Sequence, residues 1–127
     1  MSHYARGTRF EHKVRDHLTA LGYSVLRAAG SKGDSKVDLV AFHPYRPMLL
    51  VQCKIDGKIS VEEWNRVREV AGWYGPMCVP VLAQNGPNGR GVVYHRLTGE
   101  RVSRSRSRPC EAFDPAAILR PVGMIVT

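Results

Sequence analysis

The segment LLVQCK (Leu49 to Lys54) ends an apolar run with an amide and an ammonium two residues apart. On a β-strand that spacing turns both side chains to one face. Asp38 interrupts a second apolar run, VDLVAF (Val37 to Phe42), and a buried carboxylate there costs free energy unless it has a cation, hydrogen bonds or an exposed strand end. If the two runs pair, Asp38, Gln52 and Lys54 converge at one end of a sheet. Such a trio suits phosphodiester hydrolysis. Asp38 can hold Mg²⁺, a hard cation that prefers oxygen ligands, with Mn²⁺ as a candidate substitute that the sequence does not decide. The Gln52 amide oxygen and the backbone carbonyl of Cys53 can add neutral ligands. Lys54 can orient the attacking water or stabilise charge on the phosphate.

Each of these residues also has a structural reading. Asp38 can be an ion-pair partner of Lys36 or of an arginine. Gln52 and Lys54 can be a solvated strand end. Glu11 stands three residues after Thr8, which fits a helix-capping box, and by spacing alone the cap is favoured. Cys53 has no histidine placed by sequence to activate it, so it reads as a small core residue rather than a nucleophile.

The elements that would position this chemistry can be read from periodicity. Phe10, Val14, Leu18 and Leu21 recur at helical spacing, so a helix is expected from about Thr8 to Leu21, closed by Gly22. YSVLRA (Tyr23 to Ala28), VDLVAF and MLLVQCK are expected as three strands, with the Gly/Ser/Lys loop AGSKGDSK between the first two. Ser60 and Glu63 form a second capping box, opening a helix whose buried stripe is Trp64, Val67, Ala71 and Tyr74. MCVPVLA and VVYHRL follow as strands across the turn QNGPNGRG, and Pro80 suggests an edge or irregular strand. The turn lacks the G-K-[ST] of a phosphate-binding loop, so no nucleotide cofactor is expected. The order is αβββαββ: an α/β domain with a central mixed sheet flanked by helices.

The 127 residues suit a single domain, here divided into a core at 1–100 and an Arg/Ser segment with an apolar tail at 101–127. A formal charge of +8 favours a polyanionic partner, because each neutralised phosphate releases counterions. RVSRSRSRP alternates arginine with serine and has little to bury. It is expected as an exposed linker or as an arm carrying Arg104, Arg106 and Arg108 to DNA phosphates. Three cysteines without C-x-x-C spacing argue against a disulfide framework or zinc site. No run is long and apolar enough for a membrane span, and MSHYARGTRFEHK lacks a signal peptide's apolar core, so a cytosolic protein is expected.

Taken together, RGTRFE, GSKGDSKVDLVA and LLVQCK resemble the archaeal Holliday-junction resolvases of the Hjc type, within the wider D…(E/Q)-x-K nuclease superfamily. The matching order is Glu11 on the first helix, Ser31 in the glycine-bearing loop, then Asp38, Gln52 and Lys54. The resemblance implies a restriction-endonuclease-like fold and a homodimer that makes paired, symmetric nicks in four-way junctions with Mg²⁺. It makes Asp38 and Gln52 metal ligands, Lys54 the catalytic lysine, Glu11 an acid near the metal and Ser31 a neighbour of the scissile strand. In this context the catalytic reading of Glu11 overtakes the cap. Arg6, Arg9, Arg27, Lys32 and Lys36 become candidate DNA contacts. The departure is Gln52, where Hjc proteins carry glutamate; Mrr-type restriction nucleases use Q-x-K. Two alternatives therefore stand beside junction cleavage: an Mrr-like or repair nuclease on linear or modified duplex, and a non-catalytic DNA-binding module.

Overall fold

Alternation along the strands creates two apolar sheet faces, and each is covered by one helix. The computed structural model describes residues 3–28 and 37–117. Helix α1 (His3–Ala20) buries Phe10, Val14 and Leu18, three residues spaced one turn apart. It begins well before Thr8, so Thr8 lies inside the helix. The Thr8–Glu11 capping box is thereby overturned, since the amides it would satisfy already belong to the helix's own hydrogen-bond ladder. Gly22 closes the helix as expected, at φ +94°, with its amide bonded to the Thr19 carbonyl at 3.0 Å. A side chain there would also press on the His43 ring, 3.0 Å from an added Cβ.

Strands β1 (Ser24–Arg27), β2 (Leu39–His43) and β3 (Arg46–Cys53) form an antiparallel meander. In β3, Leu49 and Val51 face α1 while Leu50 and the partly buried Met48 face the other side, so a continuous apolar run is buried on both faces. Helix α2 (Val61–Trp73) crosses to β4 (Cys78–Asn85), which pairs parallel to β3. β5 (Val92–Leu97) and β6 (Cys110–Phe113) then add antiparallel neighbours, completing a six-stranded mixed sheet in sequential order. None of the described helices is long and apolar enough to cross a membrane.

Four expectations need correction. Asp38 stands one residue ahead of β2 rather than within it. Pro80 lies in a central strand: β4 pairs with β3 from Cys78 but with β5 only from Val81, so the proline sits where β4 is bonded on one side. Tyr74 follows the end of α2 and is 63% exposed, and Val70 completes the buried stripe in its place. A sixth strand, unanticipated beyond Leu97, returns to the sheet after the Arg/Ser segment.

That segment, 101–109, has no regular structure, and residues 102–108 are exposed as expected. Its ends are clamped to the start of α2. The Asn65 side chain brackets the backbone of Arg101 at 2.8 and 2.9 Å, and the Trp64 indole donates to the Gly99 carbonyl at 2.9 Å. The Arg101 and Arg108 guanidiniums lie 5.3 and 5.4 Å from the Trp64 ring centre, within cation–π range. Farther on, the Tyr23 hydroxyl and Arg46 guanidinium donate to the Pro115 carbonyl. Most of the apolar C-terminal stretch, 118–127, lies outside the described residues.

Candidate active site

The β2–β3 ladder ends at Leu39 opposite Val51, which leaves the Cys53 amide without a backbone acceptor on β2. Asp38 fills that gap: its Oδ2 accepts from Cys53 N at 2.8 Å. On the other side the chain stays tied to β4, with Lys54 N donating to the Ala83 carbonyl at 2.9 Å. The carboxylate and the lysine are thus fixed on adjacent strand ends. Both line one cavity of about 520 Å³, together with Arg6, Glu11, Cys53 and Asp56.

Electrostatics mark this cavity as unusual. Burial, reinforced by the nearby Glu11 and Glu63 carboxylates, raises the Asp38 pKa to about 6, although the Cys53 amide and Lys54 pull it down. A carboxylate so placed is relieved by a cation. The Cys53 thiol is pushed well above its usual range by burial, then by Asp38 and Glu11, so it stays protonated and is no nucleophile.

Gln52 and Lys54 do share a face, but it is the face of α2, and both reach Glu63. Gln52 Nε2 donates to Glu63 Oε2 at 3.0 Å, and Lys54 Nζ lies 2.8 Å from the same oxygen. With the amide nitrogen held by Glu63, the Gln52 Oε1 is buried with no hydrogen-bond partner among the described residues. Gln52 is not part of the cavity wall; it sits behind it, only 4% exposed. Glu63 is the residue that spacing arguments missed as a site member. Its signal was present in the Ser60–Glu63 spacing, of which the N-cap half forms: Ser60 Oγ accepts from Glu63 N at 3.1 Å. The Glu63 carboxylate meets the same hydroxyl through one oxygen, at 3.4 Å, and turns the other toward β3.

Glu11 lines the cavity from the opposite helix and is paired with Arg27 Nε at 2.7 Å, so Arg27 is engaged by an acid. Arg6 and Arg9 are exposed on α1. Arg104 and Arg106 are exposed on the Arg/Ser segment, and Arg108 stacks on Trp64. Ser31, Lys32 and Lys36 lie outside the described residues. No three His, Cys, Asp or Glu side chains among the described residues cluster closely enough to hold a metal by themselves. On the cavity wall the partly buried Asp38 carboxylate is an oxygen donor that suits a hard divalent cation, while the Gln52 amide oxygen lies behind that wall.

Comparison with known proteins gives two findings. A family model described as restriction endonuclease (Mrr_cat) matches residues 3–77, a span that contains Glu11, Asp38, Gln52, Lys54 and Glu63. Among solved structures, ten chains match. One is Archaeoglobus fulgidus Hjc, a Holliday junction resolvase from an archaeal hyperthermophile, at a TM-score of 0.58 and 22% identity, covering 68% of this chain and 72% of that one. That likeness is one of fold. Comparison with curated protein sequences gives no match.

Proposed function

The chain belongs to the restriction endonuclease family, and from that membership we propose a Mg²⁺-dependent endonuclease that resolves four-way DNA junctions by paired, symmetric nicks. The observation that carries the hydrolytic reading is Asp38 and Lys54 on one open cavity, with the Asp38 carboxylate held by the Cys53 amide, the Lys54 backbone tied to the Ala83 carbonyl and its ammonium held by Glu63. Asp38, the Cys53 carbonyl and Glu11 would hold the cation at the cavity, with Mn²⁺ the substitute to test, and Gln52 Oε1, which lies behind the wall, would join them only if its side chain turned toward the cavity. When bound, the ion supplies Lewis-acid polarisation of a phosphoryl oxygen.

The chain's own residues do the rest. Lys54 presents a cation to negative charge developing on the phosphate. Glu63 positions that lysine and turns the Gln52 amide so that its carbonyl oxygen is free. Its charge also offsets the loss of a carboxylate at position 52. Arg27 holds Glu11 at the cavity rim. Arg6, Arg9, Arg27, Lys32, Lys36, Arg104, Arg106 and Arg108 are the candidate DNA contacts, and Ser31 the candidate neighbour of the scissile strand. A homodimer fits the two equivalent scissile strands of a junction, and the fold shared with Hjc supports branched DNA as the substrate.

The deciding experiment incubates the purified protein with a four-way junction and with the matching linear duplex, with Mg²⁺, with Mn²⁺ and with chelator. Symmetric nicks confined to the junction are the expected result. The family match and Gln52 favour a second reading, cleavage of linear or modified duplex, and equal cutting of the linear substrate would establish it. A salt-sensitive complex with no metal-dependent product would replace both with a DNA-binding module.

A further inference from the structure

Beside the acidic cavity lies a second one, of about 430 Å³, and the two share Arg6, Phe10 and Ile55. Their linings differ in sign. Among the described residues the first carries Glu11, Asp38 and Asp56 against Arg6 and Lys54, and the second carries Arg6, Arg9 and Lys13 and no acid. The division comes from helical geometry. Arg6, Arg9, Phe10 and Lys13 follow an i, i+3, i+4, i+7 pattern and occupy one stripe of α1. Gly7 and Glu11 lie on the adjoining stripe, toward Asp38.

Lys13 is the built part of this second cavity. Its ammonium donates to Asn85 Oδ1, at the end of β4, and to the Gly89 carbonyl at 2.9 Å, in the turn before β5. Both acceptors are neutral, so the ammonium is held in place without being neutralised. An ammonium has three donors, and these two bonds leave one for an incoming anion. Arg6 and Arg9 offer exposed guanidiniums on the same stripe, and Arg6 borders both cavities.

We propose that this second cavity is a subsite for the backbone phosphate immediately flanking the scissile one on the cleaved strand, with Lys13 as its fixed charge and Arg9 as its outer contact. The inference rests on the nuclease reading and extends it: the strand runs along α1, from the acidic cavity past Phe10 into the basic one. Its anionic backbone meets a metal-dependent site first and a metal-free cationic site next. The subsite would therefore set strand register without reading sequence.

The test is a double-mutant cycle on junctions carrying a single methylphosphonate, which removes one phosphate charge, at each position flanking the cut. In the parent protein one flanking substitution should weaken binding in Ca²⁺ by about tenfold and lower the salt slope by about one. Lys13→Ala should show the same weakening on the unmodified strand and little further loss with that methylphosphonate, while Lys13→Arg restores the coupling. Losses that multiply independently at every flanking position would overturn the subsite. So would a Lys13→Ala variant whose defect is confined to a lower melting temperature, which is what a merely structural bridge to Asn85 and Gly89 predicts. Because the cycle is read as binding, failure of the parent to cut any strand with Mg²⁺ or Mn²⁺ would sink the nuclease reading separately.

Discussion

The two helices approach the same strand ends from opposite faces of the sheet, and each delivers one glutamate. α1 brings Glu11 to the cavity rim, where the Arg27 guanidinium holds it. α2 brings Glu63 behind the cavity, where it gathers both Lys54 and Gln52 on one oxygen. In the proposed reading the first carboxylate stands where a cation and a phosphate would arrive, and the second where it positions the lysine and the amide. The difference is that the glutamine at position 52 works beside two acids, one brought from each layer.

The sharpest way to break this picture is at its centre. Lys54→Ala and Asp38→Asn should each lower the cleavage rate by about 10³-fold or more while leaving junction binding nearly intact, as single-turnover rates beside gel-shift titrations would reveal. Near-normal cutting by either variant would empty the cavity of catalytic meaning. Next comes the contrast between the helices. Glu63→Gln should cost about 10²-fold and Glu11→Gln about tenfold, because only the former loosens two functional side chains at once. A reversed order would move the essential acid to α1.

Stability should answer differently from activity. The Asp38 carboxyl titrates near 6 in the folded protein but near 3.8 when unfolded, so the folded form binds the proton more tightly. Its stability contribution is therefore unfavourable above pH 6 and fades as pH falls toward 4. Asp38→Asn should melt higher than the parent at pH 7–8, by about 1–3 kcal/mol, with the gap closing near pH 4. A divalent cation should narrow that gap by raising the melting temperature of the parent alone, a readout free of DNA. The smallest effect separates the two capping boxes: Ser60→Ala should cost about 1 kcal/mol in chemical denaturation, and Thr8→Ala, inside α1, about half of that or less.

What could be read in advance followed from local periodicity. The period-2 spacing of Gln52 and Lys54 places them on one face, and the helical stripe of Phe10, Val14 and Leu18 predicts α1 and its glycine stop. What could not be read depends on partners far along the chain. Thr8 imitates a cap because the apolar stripe starts at Phe10, although the helix starts at His3. Pro80 imitates an edge because one-sided pairing at the start of β4 cannot be seen in composition. The Ser60–Glu63 spacing announces the cap but not the long-range reach to Lys54, which depends on how α2 crosses the sheet. β6 is four residues long and follows an arginine-rich stretch, so nothing local distinguishes it from loop.

Strand order has a consequence for assembly. Each strand lies beside its predecessor in sequence, so most pairings close short stretches of chain and favour rapid folding. Glu11, Asp38, Gln52, Lys54 and Glu63 all precede β4, so the residues of the proposed site leave the ribosome ahead of the strands that wall in β3. During synthesis that central hairpin would wait with one long edge open. The interval before β4 docks is where a nascent chain would be most prone to pair with a neighbour.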